Sequence, residues 1–188
     1  MRSNKTAYGE QEKKERGWIL FHKRKAVLEH RKMWKWIAHA IAVDKDDMSS
    51  DVWDYKQKYL TTIIDLNISF KCSCKTKEER KRYDEVITYY RKAMVNADCF
   101  CCLFYLEYSR QSANFQILKD KSYESCKSCC PIVWERTTLI GTKTNDADCS
   151  ESYCGTLSDK AFHRDWKKCC KLAYKIAMLP ERSIEAYV

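Results

Sequence analysis

Twelve cysteines in 188 residues are the side chains best equipped for chemistry in this sequence. They concentrate in Cys99-Phe-Cys101-Cys102 and in Cys126-Lys-Ser-Cys129-Cys130-Pro131. Cys99 with Cys102 and Cys126 with Cys129 form two C-x2-C pairs, the second starting 24 residues after Cys102. Short turns of this kind aim both sulfurs to one side, so two of them can bring four thiolates tetrahedrally around one zinc ion. Four sulfur ligands leave no position for water or substrate, so the Zn2+ expected here is structural. Disulfides and inert buried thiols are the competing readings. A disulfide scaffold is usually smaller and exported, and the adjacent pairs Cys101-Cys102, Cys129-Cys130 and Cys169-Cys170 do not follow simple disulfide spacing.

Signatures of catalysis are missing from the sequence. It has no Gly-rich phosphate loop, no G-x-S-x-G elbow and no H-E-x-x-H helix. A zinc deaminase would need H-x-E followed by P-C-x-x-C, and neither occurs. The histidines are His22, His30, His39 and His163. The first three share one expected helix at offsets of eight and nine, which does not gather their nitrogens on one ion. His30 reads as a histidine at the core edge. A zinc-knuckle nuclease would need a catalytic histidine near the knuckle, and none stands there. The expectation is therefore a non-enzymatic protein.

Helices have to position the cysteines. Only 4 Gly and 2 Pro punctuate the chain, which argues for long helices and short loops. Leu20, Val27, Trp34 and Ile41 recur every seven residues, and His30 and Ile37 fill the three-residue offset. This predicts one helix over 11–43 with a break possible at Gly17. Further helices are expected over 52–66, with Trp53, Tyr59 and Leu60 inward, over 76–97, and over 158–179, capped by Ser158 or Asp159 and stopped by Pro180. Cys169 and Cys170 then stand where small buried residues belong. Residues 67–75, carrying Cys72 and Cys74, break the pattern, and 103–108 reads as a short strand or a helical turn. The fold class is mainly α: a single-domain helical bundle over 1–188 with a zinc-knuckle-like irregular insert. Its parts are a helical part at 11–97, the cysteine-rich insert at 98–157 and a closing helix at 158–180 that packs on the first part.

The net charge is +9, concentrated at the front. Residues 1–36 hold eleven Lys or Arg against four Glu, a local +7. This excess favours an anionic ligand, nucleic acid or nucleotide, with Lys23, Arg24, Lys25, Arg31, Lys32, Lys35 and Trp36 as contacts. A solvated basic helix face explains the same residues. No apolar run approaches the roughly 20 residues of a membrane helix. The opening Met1-Arg-Ser-Asn-Lys-Thr has no apolar h-region, so a cytoplasmic location is expected.

Three blocks carry a resemblance: Ala26-Val-Leu-Glu-His-Arg-Lys-Met-Trp-Lys-Trp-Ile-Ala, then Asp98-Cys-Phe-Cys-Cys with Cys-Cys-Pro131-Ile-Val-Trp134, and finally residues 166–182. In this order they resemble a loose group of small cysteine-rich phage and prophage proteins of Firmicutes, over about half the chain. The resemblance implies a setting, a bacterial host, more than a mechanism. It adds a second class of function, stoichiometric inhibition of a host defence protein by protein–protein contact. The group's pattern is C-x2-C followed by C-x2-C-P. Here the cysteine before Pro131 is Cys130, whose partner at that spacing would be Lys127. Cys129 and Cys130 thus both stand as the fourth ligand, with spacing favouring Cys126 and Cys129.

Overall fold

A computed structural model describes residues 4–44, 52–96, 99–111, 130–137, 143–147 and 165–187. These residues are mainly α. Helix α1 (Asn4–Val43) runs 40 residues, about 60 Å at 1.5 Å per residue. It starts earlier than the sequence suggests and passes through Gly17 without a break. A solvent-facing glycine removes no helical hydrogen bond, and a Cβ there would meet nothing within 4 Å. Its buried stripe reads Ile19, Lys23, Ala26, Val27, His30, Met33, Trp34, Ile37, Ala38 and Ile41, the three- and four-residue spacing of one helix face.

Helix α2 (Val52–Ser73) buries Val52, Tyr55, Tyr59, Leu60 and Ile64. Trp53, expected inside, is exposed. The helix also continues through residues 67–73, where the sequence pattern breaks. Polar side chains there turn back onto their own helix: Asn67 Nδ2 donates to Ile63 O at 2.7 Å and Ser73 Oγ to Ser69 O at 3.4 Å. Backbone hydrogen bonding sustains this stretch in place of apolar periodicity. Lys71 then bridges to Asp84 at 2.5 Å, tying α2 to α3 (Lys77–Asn96).

Helix α4 (Phe100–Gln111) follows Cys99 at once and settles the ambiguous 103–108 stretch as helix. It buries Phe100, Leu103, Phe104 and Tyr108. Strands β1 (Trp134–Thr137) and β2 (Lys143–Ala147) form an antiparallel pair with an irregularity between Trp134 and Arg136. Helix α5 (Trp166–Ala177) is capped by Asp165, whose side chain accepts from Lys168 N at 3.2 Å; the expected caps Ser158 and Asp159 lie outside the described residues. Cys169, Ala173, Ile176 and Ala177 line its inner face, and the small Cys169, Ala173 and Ala177 let α5 lie close along α1. Cys170 is half-buried, its Sγ donating to Ala38 O at 3.2 Å.

All five helices of the described residues and the approach to β1 contribute to one apolar cluster, from Val27 and Trp34 through Tyr59, Ile87 and Phe100 to Ile132 and Ile176. A smaller cluster joins Ile19 and Ala26 of α1 to Phe104, Tyr108 and the terminal Tyr187. The last residues return to the middle of the chain. Ile132 pairs with Glu181, Val133 N donates to Pro180 O at 2.9 Å, and Arg182 N donates to Pro131 O at 2.9 Å.

Candidate metal centre

Helix α1 carries His30 at the centre of its buried stripe, 0% exposed. Against it stands the start of α4, with Cys99 just before the first turn, 9% exposed, and Cys101 inside it, 1% exposed. One ligand atom from each of His30, Cys99 and Cys101 lies within 4.8 Å of the other two. Zinc–sulfur bonds of about 2.3 Å in a tetrahedron put two sulfurs about 3.8 Å apart, so an ion needs a contraction of about 1 Å or less.

The histidine is oriented for ligation. Its Nε2 lies 3.4 Å from Ile176 O of α5, the position from which an Nε2–H donates to a carbonyl. That tautomer leaves a lone pair on Nδ1, which is buried and has no hydrogen-bond partner. Histidine ligands commonly bind metal with one nitrogen while the other is held by a backbone carbonyl. A fully buried polar atom without a partner is costly, and a metal bond would satisfy it.

Charge in the cluster is shared unequally. Hydrogen bonds from the Cys101 and Cys102 thiols hold Cys99 well below the usual thiol range, against the cost of burial. Burial pushes Cys101 well above that range, and its hydrogen bonds to Cys130 and Cys99 act in the same direction. A bound divalent ion favours the thiolate form of each sulfur that it holds. Cys99 also sits at the N-terminus of α4, where the helix dipole favours negative charge.

Cys102 is half-buried beside Cys99, and Cys130 is buried beside Cys101. Cys126 and Cys129, expected as the second pair, lie outside the described residues, as do Cys149, Cys154 and His163. Cys72 is exposed, and Cys74 Sγ donates to Phe70 O at 3.3 Å. His30 and Cys101 are the members that sequence spacing passed over. The signal for His30 was an imidazole in an otherwise apolar stripe, and for Cys101 the C-x-C spacing inside Cys99-Phe-Cys101.

The basic residues of α1 divide. Lys23, expected as a ligand contact, is not open to one: its side chain is 6% exposed and ion-paired to Glu181 at 3.5 Å, because α1 turns that position toward the C-terminal segment. Arg31 pairs with the same carboxylate at 3.3 Å, and Lys32 with Glu29 at 2.8 Å. Lys25 Nζ lies 3.8 Å from the centre of the Tyr89 ring. Trp36 is half-buried against Tyr59, ring centres 5.6 Å apart. Arg24 and Lys35 are exposed.

Comparison with protein-family models, with curated proteins and with solved structures returns no match for this chain. Among the described residues, no helix is long and apolar enough to cross a membrane.

Proposed function

We propose that this chain is a non-enzymatic binding protein whose helical body is braced by one structural metal ion, zinc being the ion that a thiolate–imidazole donor set favours. The observation that carries the reading is the burial of His30, Cys99 and Cys101, with the free Nδ1 of His30 turned to no other partner. Donors packed in a core stabilise the fold by cross-linking it, and a substrate has no access to them. Elemental analysis of the purified chain should find one zinc per molecule. Removing it with a chelator should lower the melting midpoint by on the order of 10 °C, taking a ligand that contributes about 4 kcal/mol and 2–4 °C per kcal/mol at this size. A metal-free chain that melts at the same temperature with or without added zinc would end this reading.

The binding itself belongs to the outer face of α1. At 100° per residue, Phe21, Arg24, Lys25, Leu28, Lys32 and Lys35 fall in an arc about 100° wide. Phe21 is 64% and Leu28 52% exposed. Two large apolar side chains among cations suit an acidic protein surface, where Phe21 and Leu28 supply buried area and the cations supply register. In the setting the resemblance implies, that partner is a host protein. Immobilised protein should capture one component of a bacterial extract, retain it in 0.3 M salt, and lose it with Phe21→Asp plus Leu28→Asp. The second reading, a phosphate-bearing ligand, draws on the same exposed Arg24 and Lys35 and on the +9 charge. Its mark would be capture of nucleic acid that salt releases steeply.

A further inference from the structure

Three protein donors leave a tetrahedral ion one ligand short, and a position left to water marks catalytic sites. Two more thiols stand beside the cluster, outside the set whose ligand atoms all lie within 4.8 Å of one another: Cys102 against Cys99 and Cys130 against Cys101. We infer that Cys130 supplies the fourth bond, closing a Cys3His site, His30, Cys99, Cys101 and Cys130, for a tetrahedral thiophilic divalent cation such as zinc. This rests on the metal-centre reading above and adds the residue that completes it.

Several observations single out Cys130. It is 3% exposed, whereas Cys102 is only half-buried. Neighbouring helix positions diverge by about 100°, so Cys101 and Cys102 cannot both face the point where His30 and Cys99 meet with equal ease. Trp134 reaches both sides of the proposed bond. Its ring meets His30 edge-on at 5.9 Å between centres, and its Nε1–H donates to Cys130 Sγ at 3.3 Å. An indole donor aimed at a sulfur is the kind of outer contact that orients and tunes a metal-bound thiolate.

The backbone of Cys130 is also fixed from outside. Arg182 Nε donates to Cys130 O at 2.9 Å, and the Ile132–Glu181 pairing holds the segment against the C-terminal residues. Rigid support of this sort is what a ligand needs if it is to hold its place before the ion arrives. Cys102 then has a different task, its thiol hydrogen-bonding to Cys99 as an outer partner.

Cobalt(II) substituted into the full-length chain reads the site directly. Tetrahedral coordination shows in the d–d bands, and the thiolate-to-cobalt charge-transfer band grows with each bound sulfur. Wild type should show three thiolates. Cys130→Ser should reduce the charge-transfer band by about one part in three, the share of one thiolate of three, and weaken zinc more than about 100-fold. Cys102→Ser and Cys129→Ser should keep the full band. Cys130→His guards against a variant that merely misfolds: it should bind cobalt in tetrahedral form with two thiolates. Trp134→Phe should keep the metal and shift the band energy. A full band in Cys130→Ser, with loss in Cys102→Ser or Cys129→Ser, overturns the assignment of Cys130 and leaves the metal centre standing. A wild-type chain that takes up neither cobalt nor zinc overturns both.

Discussion

Tyr90 donates its hydroxyl hydrogen to Glu29 inside the core, and Lys32 reaches the same carboxylate at 2.8 Å. Burial pushes Tyr90 above the usual phenol range, and its bond to Glu29 adds to this, so the hydroxyl stays a donor. Burial likewise raises neighbouring Tyr59 to about 12. Tyr90→Phe removes one donor and leaves a buried carboxylate with fewer partners, which should destabilise the chain by about 1–3 kcal/mol in urea melts. Zinc content should not change, because Tyr90 touches Phe100 and Tyr89 but supplies no donor to the ion. At this scale the sequence was least informative about His30. A histidine that fills out an apolar stripe and one that binds metal occupy the same positions on a helix. Cys101 was obscured for a similar reason, since the C-x2-C spacing of Cys99 and Cys102 is as good a local pattern.

The α2–α3 hairpin depends on a reciprocal cap. Glu79 N donates to Thr76 Oγ1 at 3.1 Å, and Thr76 N donates back to Glu79 Oε2 at 3.2 Å. The cap satisfies donors that the first turn of α3 would otherwise leave open. Thr76→Ala should lower the melting midpoint by about 2–4 °C, the effect of losing a typical N-cap in a chain of this size. The Thr76 N–H holds the Glu79 carboxyl below its ordinary 4.5. A depressed carboxylate supports the fold fully above its unfolded value, and that support fades as pH falls through the lower folded value. Stability of wild type should therefore drop from just below pH 4.5 downward, and Glu79→Gln, which removes the titrating carboxyl, should show a shallower drop over the same range. Periodicity alone located α3 well and misjudged α2. The stripe of α3 continues to its end, whereas residues 67–73 hold their helix by side chains bonded to their own backbone.

Across the whole molecule, the centre joins segments far apart in the chain. His30 belongs to α1, Cys99 and Cys101 to the start of α4, and Nε2 of His30 reaches α5. The far end of the α2–α3 hairpin is tied by Lys71 to Asp84 and by the Phe70–Tyr83 ring contact, none of which involves these donors. Metal removal should therefore act unevenly. Amide exchange after chelation should quicken first in α4 and in residues 130–134, with the α2–α3 hairpin keeping most of its protection. Uniform acceleration along the chain would mean that the ion supports the entire core equally.

Local pattern sufficed for much of this protein. Scarce Gly and Pro, with apolar residues at three- and four-residue intervals, determined that the chain is mainly α and placed Val27, Trp34 and Ile41 inside. Crowded thiols near residue 100 pointed to a metal there. Tertiary structure alone decided which donors meet, because convergence at one point depends on how α1 and α4 cross and on the segment before β1. It also decided that Lys23 and Arg31 turn to Glu181, an ion pair set by where the C-terminal residues return. Helical spacing is a property of neighbours in sequence, whereas a coordination sphere is a property of neighbours in space.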